Sequence, residues 1–399
     1  VGSFFSGLSK IEDPIIVKVN GKIYDSWSEV EIVRSIENVS SGFKISMADK
    51  WRESEETWPL QPGKQLRVSV GDIPVINGYI DRLDVSISGG DRKLEVTGRD
   101  KTADIVDASA IGTATLKDVS IKDIAEHFAT ELFGVKVTVN TDIGDNFKIW
   151  TIKQGETVFE TLQRAARLRG VLLQSDTDGN LVITNRSDGT EAQPPSTKNL
   201  LDSFDFVAHL AAKAGTSSSE VSLIQGKNVL AASASFDQTE RFSDYLIKGQ
   251  APGKDNFNGL KVTQVKATAK DIGMNRFRPL TVIAEGNIDT NAAKRRANWE
   301  ASTRAAKSTD VQITVQGWLQ TPGGKLWEPN NLVTVDVPFI GVKSIMLIAE
   351  VTYKKGSDGT FTDISLTRAD AFKPDLDVIK KNKSTDDGLG WLRKAVDRG

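Results

Sequence analysis

Leu83-Asp84-Val85-Ser86, the turn Ser88-Gly89-Gly90-Asp91 and Leu94-Glu95-Val96-Thr97-Gly98-Arg99-Asp100 form the stretch that decides the fold, because it recurs. Its counterpart is Ala349-Glu350-Val351-Thr352, the turn Gly356-Ser357-Asp358-Gly359, and Ile364-Ser365-Leu366-Thr367-Arg368-Ala369-Asp370. In both copies apolar and polar residues alternate, as a strand with one buried face requires. Working outward, Gly63-Lys64-Gln65-Leu66-Arg67-Val68-Ser69-Val70 matches Asn330-Asn331-Leu332-Val333-Thr334-Val335. Val19-Asn20-Gly21-Lys22, with strands to Phe43-Lys44-Ile45, echoes Ile224-Gln225-Gly226-Lys227 with strands to Tyr245-Leu246-Ile247. Self-similarity of this kind predicts two copies of one β module, the first nearly continuous and the second interrupted by about residues 250–308.

Between the copies the period changes. Ser120 caps a segment that places Ile121, Ile124, Ala125, Phe128 and Leu132 on one stripe, closed by Gly134. A second helical stripe carries Val158, Phe159, Leu162, Ala165, Ala166 and Leu168, closed by Gly170. Short strands at Val135–Val139, Val171–Leu173 and Leu181–Ile183 complete a small α+β unit, left through Pro194-Pro195-Ser196. A helix is expected over Phe204–Ala214 and another, rich in alanine, over Thr290–Lys307. The fold class is therefore α+β and mainly β: two similar antiparallel β-barrel-like domains plus an inserted α+β domain. The expected boundaries are 1–104 for the first β domain, 105–199 and 250–308 for the α+β domain, 200–249 and 309–372 for the second β domain, and 373–399 for a C-terminal extension.

Composition narrows the function. A chain of 399 residues is expected to hold two to four domains. It contains 51 Lys+Arg against 53 Asp+Glu, a formal net charge of −2, which argues against a general nucleic-acid coat. There is no cysteine, which removes disulfide scaffolds, thiolate metal sites and thiol catalysis. The two histidines, His127 and His209, cannot build a three-histidine zinc site, and His127 reads as a helix-flank residue. No apolar run approaches the ~18 residues that span a bilayer, and no secretory signal is visible, so a protein made in a cytoplasm is expected.

Several motifs invite a sharper chemistry. Asp176-Thr177-Asp178-Gly179-Asn180 resembles a calcium loop, but its twelfth position is Ser187 and strands flank it, so it reads as a hairpin turn. Trp150-Thr151-Ile152-Lys153-Gln154-Gly155-Glu156-Thr157 resembles the opening of a LysM peptidoglycan-binding module, although the residues that follow depart from it. Glu156 and Glu160 could be a carboxylate pair for glycoside hydrolysis; a solvated helix face is the reading preferred. Lys294, Arg295, Arg296, Arg304 and Lys307 make a basic helix, read as solvated or partner-facing, with Trp299 expected to pack. No catalytic, cofactor-binding or metal-binding residue is assigned. In the extension, Trp391 with Leu389 and Leu392 is the candidate docking element, since a terminal tryptophan behind a polar linker suits an interface anchor.

Ordered motifs along residues 5–372 resemble the tail protein P family of Mu-like phages and prophages, the baseplate hub of contractile tails. They are Val19-Asn20-Gly21-Lys22, Gly78-Tyr79-Ile80-Asp81, Gly98-Arg99-Asp100-Lys101-Thr102-Ala103-Asp104-Ile105-Val106-Asp107, Gly155-Glu156-Thr157-Val158-Phe159-Glu160-Thr161-Leu162, Asp178-Gly179-Asn180-Leu181-Val182-Ile183-Thr184 and Arg241-Phe242-Ser243-Asp244-Tyr245-Leu246-Ile247-Lys248-Gly249-Gln250. The resemblance implies a structural protein and not an enzyme. It implies a homotrimer attached to the tail tube above and the central spike below, in the virion baseplate, assembled in the host bacterial cytoplasm. No cofactor, specific nucleic acid or membrane insertion is expected. Two alternatives stand beside it: a peptidoglycan-binding or -cleaving tail component, and the spike base of a type VI-like secretion system. If the repeat holds, three chains would offer six quasi-equivalent positions in a ring.

Overall fold

The computed structural model describes residues 14–24, 27–48, 60–88, 91–112, 115–144, 146–169, 171–185, 222–250, 264–287 and 290–369. Its contacts divide it into two units, one built from the β modules and the α+β segment, the other from residues 236–309.

The first unit is organised by a 13-stranded sheet. Its first half uses β1 (Ile15–Val19), β2 (Lys22–Tyr24), β3 (Trp27–Ser35), β4 (Gly42–Ala48), β5 (Gln65–Val70), β6 (Ile73–Ser88) and β7 (Asp91–Asp100). The α+β segment holds β8 (Thr115–Val119), β9 (Val137–Val139), β10 (Phe147–Thr151), β11 (Leu172–Ser175) and β12 (Leu181–Thr184). The second half uses β13 (Ser222–Ile224) and β14 (Val229–Phe236), then, after β15 (Asp244–Gln250), β16 (Gln264–Lys270) and β17 (Pro279–Asn287), β18 (Thr309–Gln316), β19 (Leu332–Val337), β20 (Val342–Gly356) and β21 (Gly359–Arg368).

Strand order tests the repeat. The first half runs β1-β5-β6-β7-β4-β3, and the second runs β13-β19-β20-β21-β18-β14. These are the same six places in the same order. The registers agree residue by residue: Ile80 faces Gly98 and Ile348 faces Leu366, with a bulge directly after each, and both hairpins close at their ends, Ser88 on Asp91 and Gly356 on Gly359. Phe43 lies across from Gly98 as Val311 lies across from Leu366. One pairing differs: β1 is antiparallel to β5, whereas β13 is parallel to β19.

The expectation of two barrel-like domains is corrected in form. Among the described residues no closed barrel forms, because β3 pairs across the repeat with the C-terminal half of β20, from Glu350 on Ser35 to Lys355 on Val30. Both halves thus share one sheet. Their inward residues also make one core, in which Val68, Ile32, Tyr353, Ile364 and Leu366 are fully buried. Each such aliphatic side chain contributes about 1.5–3 kcal/mol.

The α+β segment has its own core of Ile121, Ile124, Phe128, Val158, Leu162, Leu181 and Ile183. Ser120 and Asp123 form the reciprocal cap that starts the first long helix. Leu132, expected on the buried stripe, is exposed. A π-turn over Glu126–Thr130 inserts extra backbone and rotates the following residues off the stripe.

The second unit corrects two assignments. Tyr245-Leu246-Ile247 does not belong to the repeat: β15 pairs with β16 and β17 in a separate three-stranded sheet. Tyr245, Ile247, Val265, Ala267, Ala293 and Ala297 make that unit's core beneath the helix Thr290–Lys307. The counterpart of Phe43-Lys44-Ile45 is Val311-Gln312-Ile313 in β18. Residues 250–308 therefore cluster with β15 in this unit, which has a hydrophobic core of its own, apart from that of the α+β segment. The expected helix at Phe204–Ala214, the Pro194-Pro195-Ser196 exit and the extension 373–399 lie outside the described residues.

Candidate assembly surface

The motif Gly98-Arg99-Asp100 does structural work at the corner where β4, β6 and β7 cross. A Cβ on Gly98 would overlap the Tyr79 carbonyl oxygen and the Phe43 ring, and one on Gly78 would overlap the Arg99 backbone. Only glycine permits this approach. The Asp100 carboxylate is buried and accepts from the Ser41 amide at 2.9 Å, the Thr102 amide at 3.0 Å, and the Ser40 and Thr102 hydroxyls. It ties the β3–β4 turn to the start of the helix Ala103–Asp107. Arg99 grips Asp81 at 2.8 Å and both oxygens of Asp107, and this holds the Asp107 carboxyl below the usual range.

Arg34 marks the junction between the two halves. It is buried mid-strand in β3, and its guanidinium donates to Glu328 at 3.3 Å and to the Ser175 carbonyl at 3.2 Å. Beside it the Tyr353 phenol donates to the Trp327 carbonyl, and burial pushes that phenol far above its ordinary range. Trp318 packs on Tyr353 with ring centroids 5.5 Å apart and donates to the Lys354 carbonyl. Sequence reasoning missed this cluster. The one available signal was a charge at an inward position of the alternating run Val30-Glu31-Ile32-Val33-Arg34.

The sequence-derived candidates that fall within the described residues engage neighbouring side chains and backbone. Asp176 accepts from the amides of Asp178 and Asn180 and from the Asn180 side chain, so its carboxylate closes the turn. Among the described residues no group of three or more His, Asp or Glu side chains is placed to hold a metal. Trp150 is buried, donates to Thr161 and lies under the Arg164 guanidinium at 4.2 Å, so it offers no face to a glycan. The solvated face expected for Glu156 is corrected: it is buried and bidentate with Arg164 at 3.0 and 2.8 Å. Burial works to raise its carboxyl, but Arg164 and the Lys153 amide outweigh that and hold it below the usual range. Glu160 caps the Thr157 amide at 2.8 Å. His127 contacts Glu131 at 2.9 Å on the exposed side of its helix. On the basic helix, Arg296 and Arg304 both pair with Glu300, and Arg304 also reaches Glu240. Trp391, Leu389 and Leu392 lie outside the described residues, as does the side chain of Trp299.

Two strand edges of the large sheet are open among the described residues. Residues 82–88 of β6 pair with β7 alone among the described residues, since the pairing of β5 with β6 ends at Gln65 on Tyr79. β14 ends the sheet order, with β18 as its one strand neighbour among the described residues. Both edges carry large exposed apolar side chains: Val85 and Ile87 on the first, Leu230 and Phe236 on the second.

Comparison with known proteins relates this chain to phage tail proteins. The family model "Mu phage baseplate assembly protein GpP-like, N-terminal" matches residues 14–100, "Baseplate hub protein gp44-like, second domain" matches 102–185, and "Mu phage baseplate assembly protein GpP, fourth domain" matches 289–375. The baseplate hub protein gp44 of Escherichia phage Mu is 29% identical over 399 residues, 97% of this chain and 96% of its own. A 43 kDa tail protein of prophage MuSo2 from Shewanella oneidensis is 35% identical in its crystal structure, with a TM-score of 0.76 over 90% of this chain and 99% of that one. A tail protein from Neisseria meningitidis MC58 shares the fold at 22% identity, with a TM-score of 0.69 over 89% and 96% of the two chains. The chain belongs to the tail protein P family of Mu-like phages and prophages, the family of baseplate hub proteins.

Proposed function

We propose that this protein is the hub of a contractile-tail baseplate, in which three copies form a ring that adapts the six-fold tail tube to the three-fold central spike. The observation that carries this reading is the duplicated strand order, β1-β5-β6-β7-β4-β3 and β13-β19-β20-β21-β18-β14. Two equivalent modules per chain give a trimer six equivalent places, while the unit at residues 236–309, present once per chain, keeps the particle three-fold. The bulges after Ile80 and Ile348 bend β6 and β20, so each module curls toward a barrel-like wall.

The role is geometric and needs no cofactor or bond chemistry. Its partners on this reading are two further copies of the chain, the tail tube and the spike, in the virion baseplate after assembly in the host bacterial cytoplasm. Neither specific nucleic-acid binding nor membrane insertion belongs to it. Light scattering after size exclusion tests the ring. The expected mass is three times the 43.4 kDa chain mass, held by interfaces well over ~2,000 Å². A monomer at micromolar concentration overturns it. Release of muropeptides from purified peptidoglycan would replace this reading with the glycan-cleaving one.

A further inference from the structure

The seam that joins the two halves inside the chain is present a second time, half on each open edge. Inside the chain, β3 of the first module pairs antiparallel with the C-terminal half of β20 in the second. By strand order β14 is the equivalent of β3, and by register and bulge position residues 82–88 of β6 are the equivalent of residues 350–356 of β20.

We propose that β14 of one copy of this chain pairs with residues 82–88 of β6 in a second copy, in the register that β3 and β20 use within the chain. The proposal rests on the ring reading above and names its seam. The register follows from two observations. The Asp237 amide donates to the Ser308 carbonyl where the chain leaves β14 and re-enters β18, which sets these strands antiparallel with Ala234 across from Val311. That is the place Ile32 holds across from Phe43. The burial alternation agrees, with Ala232 and Ala234 packing against the core as Val30 and Ile32 do. Since Tyr353 faces Ile32, Val85 faces Ala234; since Lys355 faces Val30, Ile87 faces Ala232.

Exposure marks the same residues. Tyr353, covered by β3, is fully buried, whereas its equivalent Val85 is 59% exposed and Ile87 beside it is 71% exposed. On the other edge Leu230 is 49% and Phe236 62% exposed. An unpaired strand with apolar side chains is a template for another strand. The occupant is a second copy because the chain already contains the matching pair. Such a contact is head-to-tail, the class that builds rings and not two-fold dimers when its rotation closes, as the ring reading above requires.

The natural absence of cysteine gives a clean test. The double variant V85C/A234C, mildly oxidised, is expected to run as covalent dimers and trimers on a non-reducing gel and to collapse to one chain with reductant. Each single variant stays uncross-linked. So does V85C/L230C, displaced by four residues, or ~13 Å along the strand, well beyond the ~7 Å a disulfide can bridge. As a second measurement, Val85→Asp places a charge where Tyr353 is buried in the internal seam, and is expected to weaken trimer association at least tenfold. A trimer by light scattering that stays uncross-linked in V85C/A234C, or that V85D leaves unchanged, overturns the seam and leaves the ring reading standing. A monomeric wild-type chain overturns both.

Discussion

Two glutamates illustrate how the same side chain acquires opposite consequences from its surroundings. Glu156 is held below its ordinary range against burial by Arg164 and the Lys153 amide. Its contribution is present above the ordinary carboxylate range and is lost as pH falls through its lowered value. Glu156→Gln is therefore expected to lower the urea midpoint at pH 7, with the difference fading in acid. Glu350 is raised by burial and by the charges of Glu37 and Asp310. Its ionised form costs stability, so stability falls as pH rises through the raised value, and Glu350→Gln is expected to raise the midpoint at pH 7 and to match wild type in acid. Asp100 is a third case. Asp100→Ala strands the buried Ser41 and Thr102 amides and is expected to cost about 2–6 kcal/mol in equilibrium unfolding, at about 1–3 kcal/mol per orphaned donor.

At the scale of elements, the long strands β6 and β20 decide the architecture. Each pairs with one partner along its N-terminal half and with another beyond its bulge. The bulge frees the C-terminal half of β20 to receive β3, and Arg34 fixes the junction by reaching Glu328 and the Ser175 carbonyl. Arg34→Met keeps the apolar stem and removes those donors. It is expected to cost about 1–3 kcal/mol in urea unfolding, a moderate loss because Glu328 is partly exposed and stays hydrated. An unchanged midpoint would show that strand pairing alone holds the seam.

At the scale of the molecule, the repeat explains where an insertion is tolerated. The chain leaves the sheet after β14 and returns at β18 through the Asp237–Ser308 backbone hydrogen bond, 2.9 Å long. The two ends of the insertion are adjacent, so the sheet does not depend on its length. Replacing residues 238–307 by a two-residue turn is expected to leave a chain that unfolds cooperatively with a β-type circular dichroism spectrum. Loss of a cooperative transition would show that the inserted unit is needed for the first unit to fold.

The β modules were legible because alternation is local. Leu94-Glu95-Val96-Thr97 and Ile364-Ser365-Leu366-Thr367 declare an inward and an outward face without reference to any partner. The family motifs were legible too, although their reason was not: Gly98 and Asp100 look like a site and act as a corner. The place of Tyr245-Leu246-Ile247 was misread, since a strand pattern does not say which sheet it joins, and Val311-Gln312-Ile313 fits the same template. Leu132 fell off its stripe because one π-turn shifts the phase of a helix without altering its composition. Sequence alone thus determined the main strands of the β modules, the Ser120 cap and the fact of duplication, all set by neighbours along the chain. Only the tertiary structure decided that β3 crosses to β20, that Arg34 is buried at the crossing, and which edges stay open. Those outcomes depend on pairings between residues some three hundred positions apart, for which backbone hydrogen bonds carry no residue-specific signal.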